Sequence, residues 1–441
     1  MKRYFFLLFC NLSFSAVVFA QQRIIDMTDL VFLEGMTKAV MDSSRILPGQ
    51  ALVAPFGKNN TKGTLIRPGG RETYPSFWIR DYAMSLESGF VTKAEQKHML
   101  LLTAATQCDQ TWITKAGTMV PYGSIADHIR VDDNKPIYYP GTYDYEAQGA
   151  KEFGMTPAYC DQFYFIHMAD YYIKTGGDIS LLSKEINGTR LIDRLEIAFK
   201  VPPSRLDNGI VYTNDTFRGV DFGFRDAIAI TGDLSFTSIL KYVAAEQMAS
   251  LFTRLKRPDK AAAYKAIARQ IKTALPGVFL DENGMLKAST ARSSQADVWG
   301  TALAIYLGLL EGDQQEKACR YLATAYEQGN LAYRGSIRHV VKGTDFSEQT
   351  AWETAIVPKD TYQNGAYWGT PTGWVGYAIA KVNPTAARKL VKEYVTELRE
   401  HDFRKGSSFS GPYECFHPSG YTRGPVYLTT VSLPFIVFRS M

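Results

Sequence analysis

A run of helical segments that alternate between two kinds constrains this chain more than any other feature. Apolar periodicity and helix breakers predict helices over 27–42, 79–89, 93–107, 158–175, 179–199, 233–255, 259–274, 294–310, 313–328, 368–381, 384–401 and 423–438. The odd members read as amphipathic surface helices: Asp259 to Arg269 and Pro384 to Val395 each carry one apolar stripe and one charged face. The even members differ. Asp297 to Gly308 and Gly373 to Ala380 are apolar nearly all round, with small residues that allow close packing, and a helix apolar all round is buried. Exposed helices alternating with buried ones predict two concentric rings, an all-α (α/α)6 barrel with six inner and six outer helices.

The connections alternate as well. Links from an inner to an outer helix are short, as at 175–178, 256–258 and 382–383, whereas links from outer to inner are long. The long loops are therefore expected at one end of the barrel, above the inner-helix N-termini, and long loops on a rigid scaffold are where function concentrates. Residues 21–441 read as one domain, in which 43–75, rich in Gly, Pro and β-branched residues, adds at most a small hairpin.

Residues 1–20 have the pattern of a secretory signal peptide: Lys2 and Arg3, an apolar run from Phe5 to Val18, then Val18-Phe19-Ala20 before Gln21. Export to the periplasm or the extracellular space is the expectation. No later apolar run reaches the roughly 18–20 residues of a membrane span. The formal net charge of +5 falls to +3 without Lys2 and Arg3, and no basic stripe points to nucleic acid. Cys108, Cys160, Cys319 and Cys415 show no CxxC pairing and read as buried thiols, with a disulfide left open. The histidines form no HExxH-type cluster, so neither a metal nor another cofactor is expected.

Polar residues that could do chemistry fall in the long loops or at the starts of even helices. Trp78, Arg80 and Asp81 open the second helix, Gln295 and Asp297 the eighth, and Gln363, Asn364, Tyr367 and Trp368 precede the tenth. Asp221, in Gly219-Val220-Asp221-Phe222-Gly223-Phe224-Arg225, precedes the sixth helix. Glu414, in Tyr413-Glu414-Cys415-Phe416-His417-Pro418-Ser419-Gly420, precedes the twelfth. Two carboxylates on such loops suit glycosidic bond hydrolysis, in which one protonates the leaving oxygen and the other activates water. The aromatic run Tyr138 to Tyr145 offers rings whose apolar faces match sugar C–H bonds.

Phe77-Trp78-Ile79-Arg80-Asp81 resembles the Trp-x-Arg-Asp segment of six-hairpin glycosidases of the glucoamylase, processing α-glucosidase and debranching-enzyme type. The resemblance implies that Arg80 and Asp81 grip sugar hydroxyls. The segment from Gly219 to Arg225 resembles the Gly-x-Asp-x-x-x-Arg stretch that supplies the general acid, which implies that role for Asp221; Asp226 and Asp215 compete for it. Glu414 with Phe416, Pro418 and Gly420 resembles the general-base segment, with donors such as Arg423 or Tyr413 expected around it. Asn364 to Trp368 resembles the Asn-Gly-x-x-Trp stretch of debranching-type enzymes. Asp127, His128, Arg225 and Asp226 complete the candidate sugar contacts. The resemblance implies an inverting hydrolase of an α-linked, glucose-containing glycan, with carboxyl groups roughly 6.5–9.5 Å apart. Two rivals share the barrel. An unsaturated uronyl hydrolase would need basic residues such as Arg218, Arg225, Arg334 or Arg338 for a uronate, and a glycan-binding protein would keep the barrel without the chemistry.

Overall fold

A computed structural model describes residues 23–71, 73–114, 117–149, 158–214 and 219–441. The leader-like residues 1–20, Asp215 and Arg218 lie outside the described residues. Twelve α-helices appear among those described: α1 Met27–Ser44, α2 Ile79–Ser85, α3 Lys93–Ala105, α4 Cys160–Lys174, α5 Leu191–Phe199, α6 Ser235–Arg254, α7 Pro258–Phe279, α8 Val298–Tyr306, α9 Gly312–Glu327, α10 Thr372–Ala380, α11 Pro384–Glu400 and α12 Leu428–Phe438.

The even helices close a ring. α2 packs on α4, α4 on α6, α6 on α8, α8 on α10, α10 on α12 and α12 back on α2. Their composition explains why they lie inside: all of α12 is buried, as is α8 from Val298 to Ile305. Gly373 faces the backbone of Pro434 and the side chain of Val437, and Gly376 faces the Phe438 ring, so the missing side chains let α10 and α12 approach closely. The odd helices lie outside. α11 buries Ala387, Leu390, Val391, Tyr394 and Leu398, spaced as one helical face. This is the predicted (α/α)6 architecture.

Side-chain caps are commoner in the outer ring, although α5, α7 and α9 lack them. Among outer helices, Asp26 accepts from Asp29 N, Thr92 and Glu95 form a capping box, and Asn383 caps α11 with Pro384 following it. Among inner helices only α8 has a side-chain cap, from Asp297 to Gly300 N. The starts of α2, α4, α6, α10 and α12 have no side-chain cap, and it is at this end that the long loops collect.

Those loops carry short strands. Ser76–Trp78, His128–Arg130 and Pro136–Ile137 form an antiparallel three-stranded sheet. Ala332–Tyr333, Ser336–Ile337, Tyr367–Trp368, Tyr413–Phe416 and Thr422–Pro425 form a five-stranded one. In the 43–75 segment, Arg45 pairs with Ile66 and Ile46 with Leu65.

Several helix boundaries differ from expectation, among them the start of α10, where Tyr367–Trp368 is a strand, and two with a plain local cause. The predicted helix 423–438 begins only at Leu428, because Thr422–Pro425 pairs with the Glu414 strand. The predicted helix 179–199 is a 3-10 turn over Ile179–Ser183, then a hairpin of Glu185–Ile186 with Thr189–Arg190, and only then α5. Asn187 and Gly188 turn that hairpin with φ of 48° and 76°, the pairing that favours a two-residue turn over helix. All four described cysteines are free and buried.

Gly335 tests how tightly a loop is pinned to the ring. Its φ is +76°, and a Cβ there would lie 2.3 Å from the backbone nitrogen of Tyr394 in α11. Gly343 has φ +90° with open space around it. Both alanine variants lose about 1–2 kcal/mol to left-handed strain, and only Gly335→Ala must also displace α11. Urea denaturation is expected to show Gly335→Ala losing at least twice as much stability as Gly343→Ala. Equal losses would refute the close contact.

Candidate functional site

At the loop-bearing end of the ring lies a cavity of about 290 Å³. Trp78, Arg80 and Asp81 reach it from the start of α2, His128 and Tyr143 from the loops that follow, and Asp226 from the loop before α6. Tyr362 comes from the loop before α10; Glu414, Arg423 and Tyr427 come from the strands and turn before α12.

Its floor is a buried guanidinium. Arg80 Nη1 donates to Asp127 Oδ1 at 3.1 Å, and Nη2 lies 3.5 Å from Asp81 Oδ2. The group also sits over the Phe224 ring, 5.1 Å from its centroid. Gly223 makes room for it, since a Cβ there would fall 1.6 Å from Arg80 Nη1. Tyr427 OH donates to Asp81 Oδ1 at 2.7 Å. Asp127 Oδ2 meets His128 Nδ1 at 2.8 Å, His128 Nε2 meets the Thr142 carbonyl at 2.9 Å, and the imidazole stacks on Trp78. Trp78, Arg80 and His128 are thus locked before any ligand arrives, the preorganisation that a binding floor requires.

Charge is unevenly met here. Burial raises the Asp127 pKa, but the Arg80 guanidinium and His128 outweigh it and hold the carboxyl below its ordinary value. Burial wins at Asp81, which is raised despite Arg80 and Tyr427. Asp161, at the start of α4, is fully buried with neither oxygen hydrogen-bonded among the described residues. Burial and the neighbouring Asp127 push it well above the carboxylate range, so it is held neutral.

Asp226 and Glu414 both line the cavity. Gln363 Nε2 donates to Asp226 Oδ1 at 2.6 Å, and Gln363 Oε1 accepts from Ala227 N at 2.6 Å. The backbone donor fixes which way the Gln363 amide points, so Oδ1 of Asp226 is an acceptor and a proton on this carboxyl belongs on Oδ2. Burial raises the Asp226 pKa to about 6, against the pull of Arg80. Glu414 is 1% exposed. Tyr74 OH donates to Glu414 Oε2, and Arg423 Nε lies 3.7 Å from the same oxygen. Burial raises Glu414 to about 7, with Tyr74 and Arg423 opposing. Gly424, at φ +58°, passes so close that a Cβ would lie 2.5 Å from that of Glu414.

Asp221 lies elsewhere. It is buried, does not line the cavity, and accepts from Arg225 Nη1 at 3.1 Å. Arg225 Nη2 donates to Asp297 Oδ1 at 2.5 Å, and its guanidinium lies over Trp352. Asp221, Arg225 and Asp297 form a closed charge triad behind the cavity wall. The 3-10 turn Gly223–Arg225 lies between the two residues, with Asp221 facing Arg225 and Asp226 facing the cavity. Asn364, Tyr367 and Trp368 are likewise absent from the lining. Asn364 ties Ala351 N at 2.7 Å to the Val357 carbonyl at 2.9 Å, Tyr367 stacks on His417, and Trp368 is buried against Trp299. Arg334 is engaged by Glu397 and Glu400, and Arg338 by Asp345 and the Gly365 carbonyl.

The site residues that sequence reasoning missed are Tyr74, Tyr362, Gln363 as the Asp226 clamp, and Tyr427. Tyr74 carried one legible signal, a position just before Pro75 and Trp78; its φ of +61° was not legible. Of the two donors expected at Glu414, Arg423 is there, while Tyr413 is replaced by Tyr74. One group of potential metal ligands occurs among the described residues, Glu397, Glu400 and His401. None of the three lines the cavity, and Arg334 already bridges the two carboxylates at 2.5 Å each.

The raised pKa values make a stability forecast. Each carboxyl favours its neutral form in the folded chain, so the stability linked to it is full below pH about 4 and is lost as pH rises through 6 to 7. Asp226→Asn and Glu414→Gln are each expected to be more stable than the wild type at pH 8, by roughly 2 kcal/mol, and indistinguishable at pH 4. Thermal unfolding at both pH values checks this; a variant less stable at pH 8 would contradict it.

No known family model and no curated protein matches the sequence. Among solved structures, the chain is similar to a rhamnosidase from Klebsiella oxytoca with rhamnose bound, at 12% identity and TM-score 0.56, over 94% of this chain and 64% of the other. It is also similar to a glucoamylase from Saccharomycopsis fibuligera, at 12% identity and TM-score 0.54, over 94% of this chain and 96% of that one. An uncharacterized conserved protein from Thermus thermophilus is similar at 12% identity and TM-score 0.52, over 92% of this chain and 99% of that one. These likenesses fix the fold as the six-hairpin (α/α)6 barrel. The chain spans about 64% of the rhamnosidase.

Proposed function

We propose that this chain is a glycoside hydrolase, exported under the direction of residues 1–20, that cleaves an α-linked, glucose-containing glycan with inversion. The observation that carries the reading is the facing of two carboxyls, Asp226 and Glu414, into one small cavity whose floor is already built from Arg80 and Asp81. At about 290 Å³ the cavity is at the lower end of small-ligand sites, which suits a single sugar ring. Arg80 donates and Asp81 accepts, the complement of a sugar's paired hydroxyls.

Asp226 is the acid in this reading, five residues on from the expected Asp221. An acid needs contact with the leaving oxygen, and Asp221 faces Arg225 instead. Glu414 is the base. With values near 6 and 7, the pair retains a single proton between them over that interval, and the higher value puts most of it on Glu414 in the free protein. Tyr74 and Arg423 both favour the anion at Glu414 and so sustain the minority form, with the proton on Asp226 Oδ2, that is competent to react. Glu414 then draws a proton from water as it attacks the anomeric carbon, while Asp226 protonates the departing oxygen.

A panel of aryl glycosides and natural α-glucans, with rhamnosides included, names the sugar. On a substrate so found, Asp226→Asn and Glu414→Gln are each expected to lower kcat by roughly 10³-fold with KM little changed. If both variants fold and keep near wild-type rates, the assignment is wrong. Proton NMR of the first product is expected to show the inverted anomer, and retention would exclude the water mechanism. The pH–rate profile should peak between about 6 and 7. Tyr74→Phe removes a donor from the Glu414 anion, so the alkaline limb, set by Glu414 near 7, should move upward; an unmoved limb would dismiss Tyr74 from the chemistry. N-terminal sequencing of protein recovered outside the cytoplasm tests export.

A further inference from the structure

A second cavity, of about 420 Å³, lies on the outer wall of the barrel between α5, the segment 200–206, α6 and α7, and shares no lining residue with the one that holds the carboxyl pair. Its walls are apolar: Phe199, Pro202, Pro203, Leu206 and Ile267 line it, and Leu206 is fully exposed. Its charge is one-sided. Lys200, Lys241 and Lys260 line the groove against a single carboxylate, Glu196, and that carboxylate is taken by Lys260 at 2.7 Å and by Tyr264 OH at 3.2 Å.

Lys241 is the unusual member. It projects from α6, is 7% exposed, and its Nζ donates to Ser204 Oγ at 2.5 Å beside the Phe199 ring. No carboxylate pairs with it among the described residues. A buried ammonium whose one hydrogen-bond partner among the described residues is a neutral hydroxyl is a costly arrangement, and two of its three N–H donors remain to be met there. Burial alone lowers its pKa to about 8, which an anion in the groove would reverse.

We propose that this groove binds an aliphatic carboxylate, its head on the Lys241 ammonium and its chain along Phe199, Pro203 and Ile267. The chemistry is specific in both halves. An alcohol of the same length has no charge for the ammonium, and an amine meets three lysines. This site does not depend on the proposed hydrolase activity.

Octanoate, octanol and octylamine titrated calorimetrically into the whole protein at pH 7 test the idea. Octanoate is expected to bind with one-to-one stoichiometry and at least tenfold more tightly than either other compound. Lys241→Met should weaken octanoate at least tenfold while leaving the octanol isotherm unchanged. Because the substitution removes an uncompensated buried charge, the variant should melt no lower than the wild type, which separates lost binding from lost fold. Octanol binding as tightly as octanoate, Lys241→Met binding octanoate undiminished, or no octanoate binding at millimolar concentration would each overturn the proposal. A site in the candidate catalytic cavity is recognised by its sensitivity to Arg80→Met and indifference to Lys241→Met, and that pattern also overturns it.

Discussion

The structure depends on a ring of six inner helices, three of which, α8, α10 and α12, carry no charged residue. α8, α10 and α12 bury nearly every residue, so in these three a charged group can be accommodated only where the helix ends. The short inner-to-outer links leave no room for chemistry at one end. At the other, uncapped helix starts meet long loops, and unsatisfied N–H groups with the positive ends of helix dipoles favour negative charge there. Carboxyls accumulate where the ring permits them: Asp81 and Asp161 in the first turns of α2 and α4, with Asp127, Asp226 and Glu414 on loops around them.

That accumulation has a cost, which the structure meets by dividing the carboxyls into classes. Asp127 is kept ionised by Arg80 and His128, and Asp161 is kept neutral by burial. Asp221 and Asp297 share Arg225 out of reach of the cavity. Asp226 and Glu414 are left, the two held between the extremes at about 6 and about 7. A pair poised to exchange a proton near neutrality arises because the surrounding charges are already committed.

The ring was legible in the sequence because burial on all sides leaves a compositional mark. Asp297 to Gly308 cannot be a surface helix, and Pro384 to Val395 cannot be an inner one. The segments that failed were those in which local turn chemistry overrode apolar content: Asn187-Gly188 made a hairpin in a predicted helix, and Thr422–Pro425 joined a sheet whose other strands lie far away in sequence. The site was legible as a neighbourhood. Arg80, Asp81, His128, Glu414 and Arg423 do meet at one cavity. Asn364 and Trp368, read as wall residues, instead hold the loop that supplies Tyr362, since a motif's position says which loop reaches the site and not which of its side chains faces inward.

Asp221 and Asp226 make the same point within six residues. Both lie in one stretch rich in glycine and phenylalanine, and both carry pKa values raised to about 6, so neither composition nor burial separates them. The separation comes from Arg225. Its guanidinium has carboxylate partners on two sides, Asp221 and Asp297, and it lies over Trp352 and Phe236. With that side chain pinned inward, the next residue, about 120° further round the 3-10 turn, faces a different way. Asp226 faces the cavity because Arg225 does not. The Gly-x-Asp-x-x-x-Arg pattern therefore describes, in this chain, the anchor of the loop, and the carboxyl that the anchor aims lies one residue beyond the pattern's end.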